Sequence, residues 1–472
     1  MNGNALHAPA FFGLEIRPTA QSFSFIIIAS LQDRIQPTTI TLLRDIFCSK
    51  MGSINNDFDV QAVRAAFPAL ASKQVYMDNA GGAQVLKSVI DSIVAYLSTN
   101  NVQLGASYPV AQISTNLFNA GQMAGAHYVN AKPEEIVFGP STTQMFRNLS
   151  VALKTEPGDE FVLSKLDHEA NVAAWKQLAE WKGIHIKWWV PSEDTKSNPK
   201  LVAEDLKKLL SEKTRLVACT HTSNILGTIT DVASLAEVIR STSPKALFCV
   251  DAVAYAPHAA VDVNAFGVDF YSFSWYKVYG PHVSMLYVSE KAQKELHSLG
   301  HYFKPGKTLE EMLGLAAANY ECVQAVPEIV KYLQKVGWDG ISKQEEDIQE
   351  VLLDFLRSKP DIIKIYGEPS SDRRLRVPVI SWRIKGHSSL AVTDAIEARS
   401  PYGCRSGHFY SKRLCEEVLG IKDADDGVIR CSLLHYNTKD EVSGLVKVLQ
   451  EIIDKGEGRV PEDEYRKLTA DW

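Results

Sequence analysis

The segment Asp269-Phe270-Tyr271-Ser272-Phe273-Ser274-Trp275-Tyr276-Lys277-Val278-Tyr279-Gly280-Pro281 passes from an apolar stretch through one lysine to a Gly-Pro turn. A strand over residues 270–273 would place Lys277 just beyond its carboxyl end. An amine in an aromatic, dry setting has a lowered pKa and can attack an aldehyde. A surface lysine at a strand end is the commoner arrangement. The neighbouring segments must therefore show whether Lys277 is a reactive amine or a surface lysine.

Short β-rich runs alternate with helical patterns on either side of this segment. The runs lie at 136–138, 160–163, 185–190, 215–219, 246–250, 270–273 and 283–288, with amphipathic stretches such as 201–210 and 232–239 between them. This alternation predicts a mostly parallel sheet with helices on both faces. We therefore expect an α/β fold with a large domain over residues 111–308.

The pattern changes after Gly306. Helical patterns at 309–318, 323–335 and 345–356 lead to strands near 363–366 and 377–382, and a last helix is expected at 439–453. These elements predict a smaller C-terminal α/β domain over 309–472. Residues 51–110 form an N-terminal segment that contains a helix at 60–67. Residues 1–50 are interpreted as a leader or an over-extended start, with a transit peptide as the less favoured alternative because the segment contains acidic residues.

The composition limits the kinds of partner. The chain has 472 residues, 45% of them hydrophobic, and a formal net charge of −6, which gives no reason to expect nucleic acid or a membrane as partner. Seven cysteines without a C-x-x-C pair argue against a disulfide framework and a structural zinc site. No apolar run is long enough to span a bilayer. We expect a cytoplasmic protein in a reducing compartment, without a metal centre.

Candidate site residues follow the predicted strands, where ligands bind in open α/β sheets. Asp251 ends one strand, and a buried acid there calls for a cation such as a protonated pyridine nitrogen, although it could instead cap a helix. His168 could stack on a flat ring or move a proton, or it could be a surface loop residue. Asn224 could donate to a ring hydroxyl, or it could be a turn residue.

Two further segments suggest sites for anions. Gly139-Pro140-Ser141-Thr142-Thr143-Gln144 leads from a strand into a helix, where hydroxyls and free N–H groups suit a phosphate, although such residues also cap helices that bind nothing. Arg430 lies in an apolar, strand-like run, where its guanidinium needs a carboxylate. That carboxylate could belong to a substrate, or to one of the nearby acids, such as Asp425 or Asp426, in a structural ion pair.

Taken together, these segments resemble the class V aminotransferase family, and most closely its cysteine desulfurase branch, from about residue 75 to residue 453. Six segments match the family's motifs in order and spacing: Tyr76-Met77-Asp78-Asn79-Ala80, Asp167-His168-Glu169-Ala170-Asn171, Thr222 to Thr228, Asp269 to Pro281, Arg405-Ser406-Gly407-His408, and Arg430 to Thr438. The resemblance implies the fold of aspartate aminotransferase-like, pyridoxal-phosphate-dependent transferases. It also implies a homodimer that acts on a small amino-acid substrate.

The resemblance implies roles for individual residues. Lys277 would hold pyridoxal 5'-phosphate as a Schiff base and then move protons. Asp251 would pair with the pyridine nitrogen, and His168 would stack on the ring and assist catalysis. The remaining cofactor contacts would be Thr143, Gln144, Asn224, Ser274 and Tyr276. Arg430 and Arg405 would bind the substrate carboxylate, and Asn79 and Ala80 would line the substrate site.

Three departures from the family pattern affect the expected reaction. Tyr410 stands where one desulfurase group carries its persulfide cysteine, and a phenol cannot accept sulfur as a thiolate does. Cys404, just before Arg405, is the nearest cysteine and is more simply interpreted as a small buried side chain. Ala254 replaces the residue that bonds near the ring hydroxyl, which leaves more of that contact to Asn224. Tyr276 replaces a histidine, and its hydroxyl can still bind phosphate.

The sequence therefore favours a desulfurase-like enzyme that performs other carbanion chemistry. This would be a lyase, a decarboxylating aldolase or a related C–C or C–S enzyme, as in family members of natural-product biosynthesis. A class V aminotransferase, a desulfurase that uses Cys404, and a non-catalytic member of an assembly are the alternatives. The substrate side chain stays open.

Overall fold

The central feature of the protein is a seven-stranded sheet. The computed structural model describes residues 58–192, 197–303, 306–314 and 319–469. The strands of the chain, in order, are β1 (Val75–Tyr76), β2 (Ile136–Gly139), β3 (Glu160–Ser164), β4 (His185–Trp189), β5 (Thr214–Thr220), β6 (Leu247–Asp251), β7 (Phe270–Ser274), β8 (Ser284–Val288), β9 (Ile363–Tyr366), β10 (Val379–Ile384), β11 (Tyr402–Gly403), β12 (Arg405–Gly407) and β13 (Val428–Ser432). The large sheet has the order β2-β8-β7-β6-β5-β3-β4.

The large sheet is mostly parallel, as the sequence predicted. The neighbouring strands β7, β6, β5, β3 and β4 all run parallel, and β8 is antiparallel to both of its neighbours. Strands β2, β6, β7 and β8 are buried along their whole length. This explains why they read as continuous apolar runs, since strands covered on both faces have no solvent side.

The helices cover this sheet and a second one. They are α1 (Val60–Ala65), α2 (Lys87–Thr99), α3 (Pro109–Tyr128), α4 (Thr142–Ala152), α5 (Ala170–Lys182), α6 (Ala203–Leu209), α7 (Val232–Thr242), α8 (Val263–Phe266), α9 (Glu290–Gln293), α10 (Tyr320–Val323), α11 (Val326–Val336), α12 (Trp338–Arg357), α13 (Ser389–Arg399), α14 (Lys439–Lys455) and α15 (Glu462–Leu468). Within the described ranges, none of them is long and apolar enough to cross a membrane.

The second sheet has the order β12-β13-β10-β9 and is antiparallel, and β1 pairs with β11 in a separate parallel ribbon. Helix α14 begins with a capping box in which Thr438 and Glu441 satisfy each other's backbone N–H groups. The α/β fold with a large, mostly parallel sheet is confirmed. The proposed domain limits at residues 110 and 308 stay predictions, and the proposed leader, 1–50, lies outside the described residues.

Three predicted helical segments have other limits in the structure. The helix expected at 60–67 ends at Ala65, and a 3-10 turn, Pro68–Ala71, follows because proline is favoured at the start of a new helical turn. The helix expected at 345–356 begins earlier, at Trp338. Part of the segment 309–318 forms a π-helical turn, Glu310–Gly314, and its last four residues lie outside the described ranges.

Candidate active site

Lys277 lies at the end of a 3-10 turn, Trp275–Lys277, that directly follows β7. The turn is fixed by backbone hydrogen bonds, since the Trp275 N–H donates to the Val283 carbonyl at 2.8 Å and the Gly280 N–H donates to the Trp275 carbonyl at 2.9 Å. Lys277 is 9% exposed. The β7–β8 hairpin therefore places a single amine inside the protein at the carboxyl edge of the sheet.

The surroundings of Lys277 favour its neutral form. Burial and the positive charge of Arg430 lower the pKa of Lys277 to about 8, although the carboxylates of Asp251 and Asp78 act in the opposite direction. Since the neutral amine is the nucleophile, about a tenth of Lys277 is in the reactive form at pH 7, far more than for an ordinary lysine. An exposed lysine would be almost fully protonated under the same conditions.

Asp251 is the last residue of β6 and is 4% exposed. Its Oδ1 accepts a hydrogen bond of 2.9 Å from the Val253 N–H. Burial raises the pKa of Asp251 to about 6, against the effects of this hydrogen bond and of Lys277. A carboxylate that stays ionised at neutral pH in such a place is suited to a buried cationic partner.

His168 follows β3 and precedes helix α5. Its Nδ1 accepts a hydrogen bond of 3.0 Å from the Ala170 N–H, which assigns the proton of the neutral ring to Nε2. Burial, and then the charges of Lys277 and Arg430, lower the pKa of His168 to about 4. The imidazole is therefore neutral at physiological pH, with a flat ring and an N–H donor at Nε2.

Arg430, on β13, is 2% exposed and is surrounded by protein groups. Its Nη2 lies 2.6 Å from Oδ1 of Asp78, and its Nη1 donates to the Asn224 carbonyl at 3.0 Å. The guanidinium carbon lies 3.7 Å from the centre of the Phe409 ring. Arg430 thus has both an ion-pair partner and an aromatic surface beneath it.

The partner of Arg430 corrects one prediction. The structural alternative named Asp425 or Asp426, but Asp426 pairs with Arg383 at 3.1 Å and Asp425 lies 3.5 Å from His408. The carboxylate on Arg430 is that of Asp78, which is brought there by the pairing of residue 78 with Ser432. Closeness in sequence did not identify the partner, because the contact joins residues that are 352 positions apart.

Arg405 lies beside the same carboxylate. Its Nη1 is 3.5 Å from Oδ2 of Asp78, and its side chain is 56% exposed. Both residues line a cavity of about 670 Å³, together with Tyr276 and Gly82. The two arginines predicted for the substrate carboxylate are therefore joined by one aspartate at the wall of an open cavity.

The side chain of Asn79 is used inside the protein. Its Nδ2 donates to the carbonyls of Tyr76 and Ser432, at 3.0 and 2.9 Å, and its Oδ1 accepts from the Tyr436 hydroxyl at 2.5 Å. The Ala80 N–H donates to Oγ of Ser432 at 2.8 Å. These bonds hold the 78–80 turn against β13, so any substrate contact of these two residues stays a prediction.

The predicted phosphate residues lie at the start of α4 and beyond β7. Thr143 and Gln144 are exposed in the first turn of α4, where the Gln144 N–H is capped by Ser141 at 3.1 Å. Oγ of Ser274 is buried and bonds Oγ of Ser284 at 2.6 Å and Oγ1 of Thr142 at 2.9 Å. The hydroxyl of Ser274 is thus already engaged, and its contact with phosphate stays a prediction.

Tyr276 and Asn224 are positioned by neighbouring side chains. The Tyr276 ring stacks on His282 with centroids 4.8 Å apart. Nδ2 of Asn224 donates to the Phe409 carbonyl at 2.9 Å, and its Oδ1 accepts from the Ser411 hydroxyl at 2.8 Å. Asn224 therefore fixes the segment that carries Phe409 and Tyr410. The sequence predicted a contact of Asn224 with a ring hydroxyl and did not predict this second function.

The donor set fits pyridoxal phosphate. Lys277 supplies a reactive buried amine, Asp251 an ionised buried carboxylate and His168 a neutral imidazole. All three residues follow or end strands of one sheet. They would serve the aldehyde, the protonated ring nitrogen and the ring face of that cofactor. The exposed N-terminal turn of α4 offers N–H groups to a phosphate.

The predicted site residues did not include Asp78 and Phe409, which contact Arg430, or Asp167, which precedes His168 after a predicted strand. Asp167 is buried, and burial raises its pKa to about 7, although it accepts hydrogen bonds from Asn171 and the Thr220 N–H at 2.7 and 3.0 Å. Asp78 and Asp167 both stood inside motifs that had been identified. The sequence signal that could have identified Asp78 and Asp167 is their negative charge, since the other predicted site residues include a lysine and two arginines.

Comparison with known proteins identifies the family. The family described as aminotransferase class-V matches residues 75–445. The aminotransferase-like protein FGM3 of Gibberella zeae is 49% identical over 84% of this chain and all of its own length. The cysteine desulfurase-like protein ustD of Aspergillus flavus is 39% identical, over 85% of this chain and 92% of its own.

Solved structures share the fold. An apo cysteine desulfurase from Thermococcus onnurineus superimposes with a TM-score of 0.76 and 23% identity, covering 84% of this chain and 98% of its own. At this level of identity the likeness concerns the fold. The family match and the two fungal relatives carry the assignment: the chain belongs to the class V aminotransferase family, whose enzymes depend on pyridoxal 5'-phosphate.

Proposed function

We propose that this protein performs carbanion chemistry on an amino acid, as a lyase, a decarboxylating aldolase or a related enzyme of C–C or C–S bonds. The observation that carries the proposal is the buried Lys277 amine, whose pKa is about 8 and which interacts electrostatically with Asp251, His168 and Arg430. Such a group can act first as a nucleophile and then as a base near neutral pH.

The chain's own residues divide the work. When bound, pyridoxal phosphate withdraws electrons from the carbon that loses a proton or carboxylate. Asp251 keeps a negative charge in the interior, which would hold the ring nitrogen protonated. Lys277 Nζ would hold and return the proton at the reacting carbon, and the neutral His168 would support the ring face and offer Nε2–H as a donor.

Recognition of the amino acid would rest on the arginines. Arg405 and Asp78 lie at the cavity wall, the buried Arg430 pairs with Asp78, and a guanidinium matches the two oxygens of a carboxylate. The aromatic ring of Phe409 lies against Arg430 and limits the access of water to it. The interaction of a bound carboxylate with the guanidinium would be strengthened by the low polarity of these surroundings.

Sulfur transfer through Cys404 is the less favoured function. Cys404 is 1% exposed, and among the described cysteines all except the half-buried Cys322 are buried. A persulfide carrier must reach both the substrate sulfur and an acceptor, so a buried thiol is poorly suited to the task. Tyr410, which stands where such a cysteine was expected, is 69% exposed.

A spectral screen of the purified protein against the common amino acids tests the proposal. With a substrate, a lyase changes the visible absorbance of the cofactor, releases product and returns to the starting spectrum. A transaminase given only an amino donor stays in the altered state, because no keto acid accepts the amino group. Release of sulfide from cysteine that Cys404→Ser abolishes would instead establish a desulfurase.

Lys277→Ala is the decisive variant. We expect it to lose the covalent, borohydride-reducible attachment of the cofactor and at least about a thousandfold of the activity, since anchor and base are removed together. Lys207→Ala, which removes an exposed lysine from helix α6, is the matched control and should retain both. A Lys277→Ala protein that still attached the cofactor covalently would refute the central assignment.

A homodimer is the proposed assembly. Ile90, Val94 and Leu97 lie at i, i+4 and i+7 of helix α2 and are 40%, 58% and 50% exposed. Tyr108, Val110 and Ile113, at the start of α3, are also exposed. A group of exposed apolar residues of this kind usually marks a protein–protein contact, and a second copy of the chain is the occupant we propose.

A further inference from the structure

Arg430 is closed to an incoming carboxylate in this structure. Its side chain is 2% exposed, with Asp78 on Nη2, the Asn224 carbonyl on Nη1 and the Phe409 ring 3.7 Å beneath it. Its Nε is buried and has no hydrogen-bond partner among the described residues. An amino acid can therefore reach Arg430 only if one of these groups moves away.

Asp78 is the group that can move. The Asn224 carbonyl belongs to a buried backbone that is fixed by neighbouring hydrogen bonds, whereas the Asp78 side chain is 23% exposed and faces the cavity of about 670 Å³. A second cation is already within reach, since Oδ2 of Asp78 lies 3.5 Å from Arg405. The position of Oδ2 also depends on Gly81, where a Cβ atom would come within 2.7 Å of it.

We propose that Asp78 is a built-in competitor for the substrate carboxylate, which occupies Arg430 in the resting enzyme and transfers to Arg405 when a carboxylate binds. This inference rests on the proposed function, because it takes Arg430 as the carboxylate site. The charges support an exchange. One aspartate and two arginines leave a net charge of +1, so the arriving carboxylate makes the group neutral and leaves each cation with one anion.

The exchange makes Asp78 a positioning residue that sets selectivity. Simple anions must displace an ion pair of 2.6 Å before they reach Arg430, and they gain little else in return. An amino acid held at a second point can offset that cost with its other contacts. In the alternative view, Asp78 only orients Arg430, and its removal would weaken carboxylate binding.

Binding of acetate to the holoenzyme, measured by calorimetry and as competitive inhibition, separates these views. If Asp78 competes, Asp78→Asn should bind acetate about ten- to a hundredfold more tightly, the size of one lost charged hydrogen bond. Glu397→Gln is the matched control, because Glu397 is an exposed carboxylate on the wall of the same cavity that forms no ion pair with either arginine in the described part of the chain. It should leave acetate binding within about twofold.

Arg405→Gln supplies a second test that does not threaten folding, since Arg405 is 56% exposed. It should weaken acetate binding in the wild-type background, where Asp78 loses its second partner, and have no effect in the Asp78→Asn background. An equal loss in both backgrounds would show that Arg405 binds acetate directly. Unchanged or weaker acetate binding in Asp78→Asn, or unchanged binding in Arg405→Gln, would overturn the exchange.

Failure of this inference is distinguishable from failure of the proposed function. In Asp78→Asn the KM for the amino acid should fall along with acetate Kd, whereas kcat should change less. Normal turnover without the acetate pattern would remove only the role of Asp78. The acetate pattern in a protein that turns over no amino acid would preserve the exchange and refute the proposed reaction.

Discussion

At the scale of single residues, the site contains buried charged groups that contribute little to the stability of the folded chain. Asp251 is fully enclosed, and the pKa of its carboxyl rises to about 6 because of burial. Lys277 is enclosed as well, and its pKa falls to about 8 for the same main reason. Each shift records a free-energy cost of holding the charged form in the interior, which is typical of functional sites.

Asp251→Asn should therefore have opposite effects on stability and on cofactor binding. Above pH 6 the carboxylate is ionised in both the folded and the unfolded chain, and burying it costs the folded apoprotein about 1–3 kcal/mol. The amide removes this cost and can still accept from the Val253 N–H. We expect a higher Tm of the apoprotein at pH 7–8 and at least about tenfold weaker binding of pyridoxal phosphate.

The pH dependence and a matched variant check the cause. Between pH 4 and pH 6 the folded protein binds more protons at Asp251 than the unfolded chain does, so this group's contribution to stability falls as pH rises through that range. The increase in Tm of the apoprotein caused by Asp251→Asn should vanish near pH 4. Asp269→Asn, which breaks the pair of 2.6 Å between the buried Asp269 and the half-buried Arg240, should lower Tm without affecting the cofactor. A lower Tm in Asp251→Asn would contradict the explanation.

The residues that sequence reasoning brought together share one geometric rule. Lys277, Asp251 and His168 all come directly after, or at the end of, apolar runs, and parallel strands end at the same edge of a sheet. The structural alternative for Arg430 named acids close to it in sequence, whereas Asp78 reaches it through the pairing of distant segments. Periodicity and spacing carry no information on such a contact.

At the scale of elements, the strands of the large sheet could be predicted and several helices could not. Strands such as β6 and β7 are buried on both faces and read as short apolar runs between turns. Helix α5 has buried residues on several faces, so it lacks a clear amphipathic pattern. In α3, Gly121 lies so close to α10 that a Cβ atom would approach the Val323 carbonyl to 2.2 Å, a reason for a small residue that only packing reveals.

The segment Gly407–Ser411 stores backbone strain beside the site. Phe409 and Tyr410 follow one another with φ angles of 48° and 61°, in the left-handed region that costs most side chains about 1–2 kcal/mol each. Hydrogen bonds hold them there, since the Tyr410 N–H donates to His408 Nδ1 at 3.1 Å and its carbonyl accepts from the Glu169 N–H at 2.8 Å. Strain of this kind is common at binding sites.

Tyr410→Asn should stabilise the protein by about 0.5–1 kcal/mol, because asparagine tolerates the left-handed conformation and the tyrosine side chain is 69% exposed. Urea unfolding should show a higher midpoint with an unchanged m-value. Tyr302→Asn, at an exposed tyrosine without a positive φ angle, should give no gain. A loss of stability in Tyr410→Asn would mean that the contact between the Tyr410 and His168 rings, whose centroids lie 5.4 Å apart, outweighs the strain.

At the scale of the whole molecule, the exposed apolar residues of α2 and α3 are the feature that one chain leaves unexplained. Helix α2 buries Val89 and Tyr96 against the protein, while Ile90, Val94 and Leu97 point elsewhere. A helix with two apolar faces is expected where the second face meets another subunit. A twofold-symmetric dimer would cover this face with the same face of a second copy.

Val94→Glu places a charge in the middle of the α2 face and tests the homodimer directly. We expect the wild-type protein to sediment as a dimer and the variant to dissociate at least about tenfold more readily, since a charge in an apolar interface lacks a partner. Leu390→Glu is the matched control, because Leu390 is an exposed apolar residue on helix α13 and is 54% exposed, close to the 58% of Val94. Equal dissociation of both variants, or a monomeric wild type, would refute this interface. A dimer that survives Val94→Glu would place the contact on another surface and leave the α2 face without an explanation.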